Sequence, residues 1–217
     1  RLKELGADAI KILLYYDVDE DDEINDQKKV FVERIGSECD GEGLPFFLEI
    51  ISYDANLESI KGLDYAKVKP KKVNEAVKVF SEDRYHVDVL KLEVPVNMDF
   101  VEGYATGEVA YTRQEALDYF KEQSDATNLP FIFLSAGVSS ERFRETLEFA
   151  HEAESQYNGV LCGRATWKDS LPIFMLEGKD EAYRWVHEQG KENLHQLNEV
   201  VEKTAKPWTE KMTERNE

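Results

Sequence analysis

The chain has 217 residues, 41% hydrophobic and 11% aromatic, which is enough apolar material for one sizeable core and too much for a disordered polypeptide. A formal net charge of −18 excludes a surface built to neutralise nucleic-acid phosphates or an anionic membrane, so any phosphate must be held in a local pocket. Two cysteines, Cys39 and Cys162, with no secretory leader pattern and no long apolar span, point to a reducing cytoplasm rather than a disulfide scaffold or a membrane protein.

Arg1 to Ala7 reads as the last turns of a helix feeding a strand, without an initiator Met or a capping signal, so a portion of a longer chain is expected. The first continuous apolar run is Ile10 to Tyr16. Asp17 to Glu23 begins like a calcium loop, but Asp22 stands where that loop needs Gly and Lys28 where it needs its twelfth ligand; a solvated loop is expected. A helix over Gln27 to Gly36 leads to the run Pro45 to Ile50. Lys67, Lys69, Lys71 and Lys72 read as a solvated approach to a helix over Asn74 to Phe80, ahead of the run Val87 to Val94. Thr112 to Glu115 fits a capping box, opening a helix that precedes the run Phe131 to Ala136. Ser139 to Arg142 opens another, with Phe143, Leu147 and Ala150 at helical spacing, before Gly159 to Gly163. Thereafter the pattern is helical alone, from Ser170 to Leu176 and from Lys179 to about Thr204 with an interruption at Gly190.

Runs that are apolar on both faces belong in a parallel sheet covered by helices. A series of such βα units closes most readily into a (βα)8 TIM barrel, although an open doubly wound sheet has the same local rhythm. Five runs are fewer than a barrel needs. The α/β expectation is therefore a single domain over 1–217, forming about the last five βα units of a barrel. A helical tail from about residue 168, carrying Trp185, Leu194, Leu197, Val200 and Trp208, is expected to pack on the barrel, with a partner subunit as the alternative.

Ligand sites in such folds lie at the carboxyl ends of the strands. Lys91 stands inside an apolar run, where burial disfavours the ammonium and can free an amine to attack a carbonyl; an ion pair with Glu93 or Asp88 is the structural alternative. Glu49 ends the preceding run and can act as acid or base if an apolar wall raises its pKa. Lys11 repeats the anomaly one run earlier, and three such residues in register favour a shared site. Ser135 to Ser140, and Gly163 with Arg164, combine small residues, a helix start and a guanidinium, the ingredients of a phosphate grip or of ordinary capped turns. His86, His151, His187 and His195 lack zinc-protease spacing.

Five segments, Gly6 to Asp17, Leu44 to Glu49, Val87 to Pro95, Phe133 to Val138 and Leu161 to Trp167, together resemble the tagatose 1,6-bisphosphate aldolases, class I Schiff-base enzymes of lactose and galactose catabolism in Gram-positive bacteria. The resemblance spans residues 1 to about 212 and implies a barrel lyase that needs no metal or other cofactor. It implies cleavage of tagatose 1,6-bisphosphate to dihydroxyacetone phosphate and glyceraldehyde 3-phosphate. By position, Lys91 is the nucleophile, Glu49 the acid/base and Lys11 a catalytic lysine near the substrate hydroxyls and the nucleophile, while Ser135, Gly137, Leu161, Gly163 and Arg164 surround a substrate phosphate. The family's first three βα units, with an acidic residue and an amide that contact substrate, have no counterpart in these residues. A sugar-phosphate sensor without turnover, or another Schiff-base enzyme such as a fructose-bisphosphate or deoxyribose-phosphate aldolase, remains open at this point.

Overall fold

The computed structural model describes residues 1–214. Five strands, β1 (Ile10–Tyr16), β2 (Phe46–Ser52), β3 (Val89–Leu92), β4 (Phe131–Leu134) and β5 (Val160–Leu161), form one sheet in chain order with every neighbouring pair parallel. The crossovers carry α1 (Asp22–Glu42), α2 (Leu63–Phe80), α3 (Arg113–Asp125) and α4 (Ser140–Glu152). Beyond β5 come α5 (Arg164–Trp167), α6 (Ser170–Glu177), α7 (Lys179–Trp185), a π-helical turn (Val186–Gly190), α8 (Lys191–Thr204) and α9 (Trp208–Glu214). That turn falls at the interruption expected at Gly190, and Arg1 to Ala7 forms a single 3-10 turn closed by Gly6.

The helices start where their caps dictate. Thr112 accepts from the Glu115 N–H while the Glu115 carboxylate accepts from the Thr112 N–H, completing the capping box, and Ser139 accepts from the Arg142 N–H at the head of α4. Two helices are longer than their periodicity alone indicates. α1 begins at Asp22, inside the acidic run, because the Asp21 side chain caps it. α2 begins at Leu63 and absorbs the basic cluster; Pro70 lies within it. A proline removes the hydrogen bond to the carbonyl four residues back, here that of Ala66, and the Tyr111 hydroxyl donates to that carbonyl instead.

Burial alternates along much of β1, the edge strand, whereas β2, β3 and β4 carry consecutive buried residues on both faces of the pleat. One face meets the helices: Phe46, Leu48, Leu90, Phe131 and Phe133 are fully buried there beneath Phe80, Phe120, Phe149 and Tyr157. Each such side chain contributes roughly 1.5–3 kcal/mol by leaving water. α1 approaches the preceding turn of β3 so closely that a Cβ on Gly36 would lie 1.9 Å from the Tyr85 carbonyl oxygen. The opposite face carries Lys11, Leu13 and Tyr15 of β1, with Leu13 and Tyr15 43% and 59% exposed.

The tail folds back on the last units. Leu197 of α8 joins the core, the Tyr157 and Thr204 hydroxyls hydrogen-bond, and the Lys206 N–H donates to the Tyr157 carbonyl at 2.8 Å. Leu194 and Trp208 remain largely exposed. Among the described residues no helix is long and apolar enough to cross a membrane.

Candidate active site

Glu49 and Lys91 are register partners on β2 and β3, so their side chains rise side by side from one face. The Lys91 ammonium lies 2.8 Å from Glu49 Oε1, and the Lys11 ammonium donates to Glu49 Oε2 at 2.6 Å. The three are thus brought together, but not in one register: Lys11 pairs with Phe47, one pleat earlier, and reaches the carboxylate through its four-carbon stem. Lys91 does not pair with Glu93 or Asp88. Asp88 accepts from the Phe46 N–H instead, and Glu93 faces a different lysine.

The electrostatics of Glu49 run opposite to the expectation of a raised pKa. Burial pushes its carboxyl up, but hydrogen bonds from Lys11 and Lys91 together outweigh that and hold it below the usual range. It is therefore an ionised acceptor, suited to receive a proton. Lys11 is 44% exposed, whereas Lys91 and Glu49 are each 9% exposed, so the pair sits in the drier part of the group.

Beyond β4 the chain turns through Ala136 (φ 50) and Gly137 (φ 78). A left-handed alanine costs about 1–3 kcal/mol, strain of the kind that gathers at ligand-binding turns. The Arg164 guanidinium lies against Gly137, 3.6 to 3.8 Å from where a Cβ would stand, an ordinary contact distance, so it is the φ of 78° that favours glycine here. Lys168 donates to the Gly137 carbonyl at 2.8 Å. No carboxylate pairs with Arg164 among the described residues. Ser135 is buried near the Cys162 thiol, whose pKa burial pushes up. Leu161 is the partner of Leu134, two residues beyond the partner of Lys91, which puts it on the same open face. Gly163 precedes α5, and its carbonyl accepts from Thr166. The five residues expected around a phosphate thus cluster at the ends of β4 and β5.

Two charged groups escaped the sequence reading. Lys69 and Lys72, read as solvated, are buried on the sheet-facing side of α2, while Lys67 and Lys71 are exposed. The signal was their helical spacing with Tyr65, Val73 and Ala76, hidden by Pro70. Lys69 faces Glu93, whose Oε2 accepts from both the N–H and the hydroxyl of Ser52 at 2.7 and 2.8 Å. Lys72 is held by Asp17, by Asp19 at 3.0 Å and by Asp54 at 3.0 Å. Asp17, read as part of a solvated loop, is fully buried, and its second oxygen accepts from the Ala55 N–H at 2.9 Å. This knot ties the ends of β1 and β2 to α2.

With this geometry in hand, the comparisons with known proteins are specific. A family model described as DeoC/LacD family aldolase matches residues 1–169. Tagatose 1,6-diphosphate aldolase 2 of Enterococcus faecalis is 63% identical over 212 residues, covering 98% of this chain and 64% of that protein. Tagatose 1,6-diphosphate aldolase of Lactococcus lactis subsp. lactis is 57% identical over 212 residues, covering 98% of this chain and 65% of that protein. The chain therefore spans just under two-thirds of the length of these curated relatives. Among solved structures, a fructose-bisphosphate aldolase from Plasmodium falciparum superposes with a TM-score of 0.62 at 16% identity, over 94% of this chain and 60% of that one. An archaeal fructose-1,6-bisphosphate aldolase with its catalytic lysine bound to a carbinolamine gives 0.55 at 16% identity, over 92% of this chain and 60% of that one. These neighbours are TIM-barrel proteins, and the five parallel strands form a sector of that barrel.

Proposed function

Because this chain belongs to the DeoC/LacD aldolase family, we propose that it carries the reacting residues of a class I aldolase, which cleaves tagatose 1,6-bisphosphate to dihydroxyacetone phosphate and glyceraldehyde 3-phosphate. The observation that carries this reading is a single buried carboxylate, Glu49, held between two lysines at 2.8 and 2.6 Å. The names of the relatives at 63% and 57% identity supply the substrate.

Lys91, as the free amine, adds to the ketone carbon, and the carbinolamine loses water to give an iminium. Glu49 then takes the proton from the hydroxyl beside the scissile bond. The carbon–carbon bond breaks, its electron pair flows into the iminium to give an enamine, and the aldehyde departs. Protonation of the enamine carbon and addition of water release dihydroxyacetone phosphate and restore Lys91. Lys11 balances the Glu49 charge between these steps. Arg164 and the Ser135 to Gly137 turn, with Leu161 and Gly163 beside them, hold a phosphate and so fix the carbonyl near Lys91. The setting is a reducing cytoplasm, the ligand a sugar bisphosphate, and residues 1–217 act as one domain with the tail packed on it.

The test is incubation with dihydroxyacetone phosphate and borohydride, followed by peptide mapping. A reduced adduct at Lys91, absent from Lys91→Met, is expected; a folded chain with no adduct there would leave a sugar-phosphate sensor without imine chemistry. A panel of mono- and bisphosphates separates tagatose-bisphosphate cleavage from that of other Schiff-base aldolases.

A further inference from the structure

A cavity of about 350 Å³ opens at the carboxyl ends of β3 and β4, between the β3–α3 connection and the helices α2 and α4. Lys69, Glu93, Asn97, Ser135, Gly137 and Arg142 contribute to its wall; Lys11, Glu49 and Lys91 do not. It lies beside the three imine-site residues and shares Ser135 and Gly137 with the proposed phosphate grip.

The lining of this cavity holds a buried cation that is ion-paired but makes no hydrogen bond among the described residues. The Lys69 side chain is 9% exposed, and its nearest carboxylate, Glu93, is 3.8 Å away, outside hydrogen-bond reach. No acceptor takes any of its three protons among the described residues. Ser52 holds the other Glu93 oxygen, Oε2, through its N–H and hydroxyl, which fixes Oε1 at that 3.8 Å distance from Lys69, and the Ser52 hydroxyl is itself shared with Tyr65 at 2.7 Å. A buried ammonium left in this state calls for an acceptor. Asn97 adds a second donor: its side-chain oxygen accepts from the Asp99 N–H at 3.1 Å, which leaves its amide NH2 to donate. On the opposite wall Arg142 is engaged by Asp99 at 3.3 Å and Glu145 at 2.8 Å, so it closes the cavity rather than supplying the charge.

We propose that this cavity is an anion subsite centred on Lys69, taking the oxyanion head of a small phosphorylated or carboxylated metabolite. Its volume lies at the lower end of the range for small-molecule sites, which suits a compound of a few carbons. Because the Ser135 to Val138 turn also meets Arg164, occupancy of the cavity bears on the same turn that grips the substrate phosphate.

The experiment is calorimetric titration of the Arg164→Ala chain, in which the other proposed anion grip is removed, with inorganic phosphate and separately with citrate. Binding of one phosphate or one citrate per chain is expected, and whichever binds identifies the head group. Lys69→Met in that background is expected to weaken binding at least about tenfold, while Glu93→Gln, which removes the competing negative charge and keeps an acceptor for Ser52, strengthens it several-fold. Opposite shifts at neighbouring residues cannot come from general loosening, and unfolding midpoints identify any variant that fails to fold. No binding of either anion, or unchanged affinity in Lys69→Met, overturns the proposal. So does equal weakening by both variants. Imine trapping at Lys91 is read independently, so the two readings fail separately.

Discussion

Two knots of charge are built on β1 to β3, one within the strands and one just past the carboxyl ends of β1 and β2, and they have opposite stoichiometry. Around Lys72, three carboxylates surround one ammonium; around Glu49, two ammonium groups share one carboxylate. Burial pushes the Lys72 ammonium toward neutrality, but Asp17, Asp54 and Asp19 together raise its pKa well above the ordinary lysine value. A lysine so held never becomes a nucleophile. In the other knot one ammonium can be given up without stranding a charge, because Glu49 keeps its second partner. If Lys91 reacts as proposed, the sign in excess is what distinguishes the two groups in this chain.

Four experiments bear on this comparison, in descending size of effect. Glu49→Gln keeps the shape but leaves two lysines with no anion between them; imine formation at Lys91, followed by borohydride trapping against time, is expected to slow by about 10²–10⁴-fold. A wild-type trapping rate would remove Glu49 from the chemistry. Lys72→Met strands the fully buried Asp17 and is expected to cost about 3–5 kcal/mol by urea unfolding. Lys91→Met, with Glu49 still paired to Lys11, should cost far less in the same assay, and equal losses would erase the distinction drawn above.

The third experiment uses acid. Asp54, lowered by the Asn56 backbone N–H and then by Lys72, Asp19, lowered by Lys71 and then by Lys72, and Glu49 all have folded pKa values below their ordinary ones. Groups depressed in this way stabilise the fold above their unfolded pKa, and that stability disappears as pH falls through the folded value. Unfolding midpoints should decline from about pH 4 downward. Removing Lys72 should flatten that decline more than removing Lys91, since it relaxes two of the three groups. The smallest effect is Tyr111→Phe, which takes the donor from the Ala66 carbonyl and is expected to cost about 1 kcal/mol.

Much of this architecture is legible in the residues. The strands announce themselves because both faces are apolar, and Lys11, Glu49 and Lys91 stand out because each interrupts such a run. Thr112 and Ser139 mark helix starts because their side chains satisfy specific backbone donors. The first two turns of α2 were obscured by Pro70 and by lysines that composition assigns to solvent. Their destination depends on Asp17 and Glu93, which come from β-strand ends far away in sequence, and no local pattern reveals that an ammonium has a distant carboxylate to meet. The direction of the Glu49 shift was hidden for the same reason: an apolar run indicates burial, but two cations arriving from neighbouring strands reverse its effect.

The hydroxyl of Tyr111 on the Ala66 carbonyl has a temporal consequence. During synthesis the Ala66 carbonyl is made 45 residues before the tyrosine that donates to it, so until then water is its partner. Only when β3 and the segment before α3 have emerged can that gap close. By then Lys72 and Lys69 have both their strand partners, Asp17 and Glu93, available. The proline thus makes the last hydrogen bond of α2 depend on a residue that follows β3, the strand that carries Lys91.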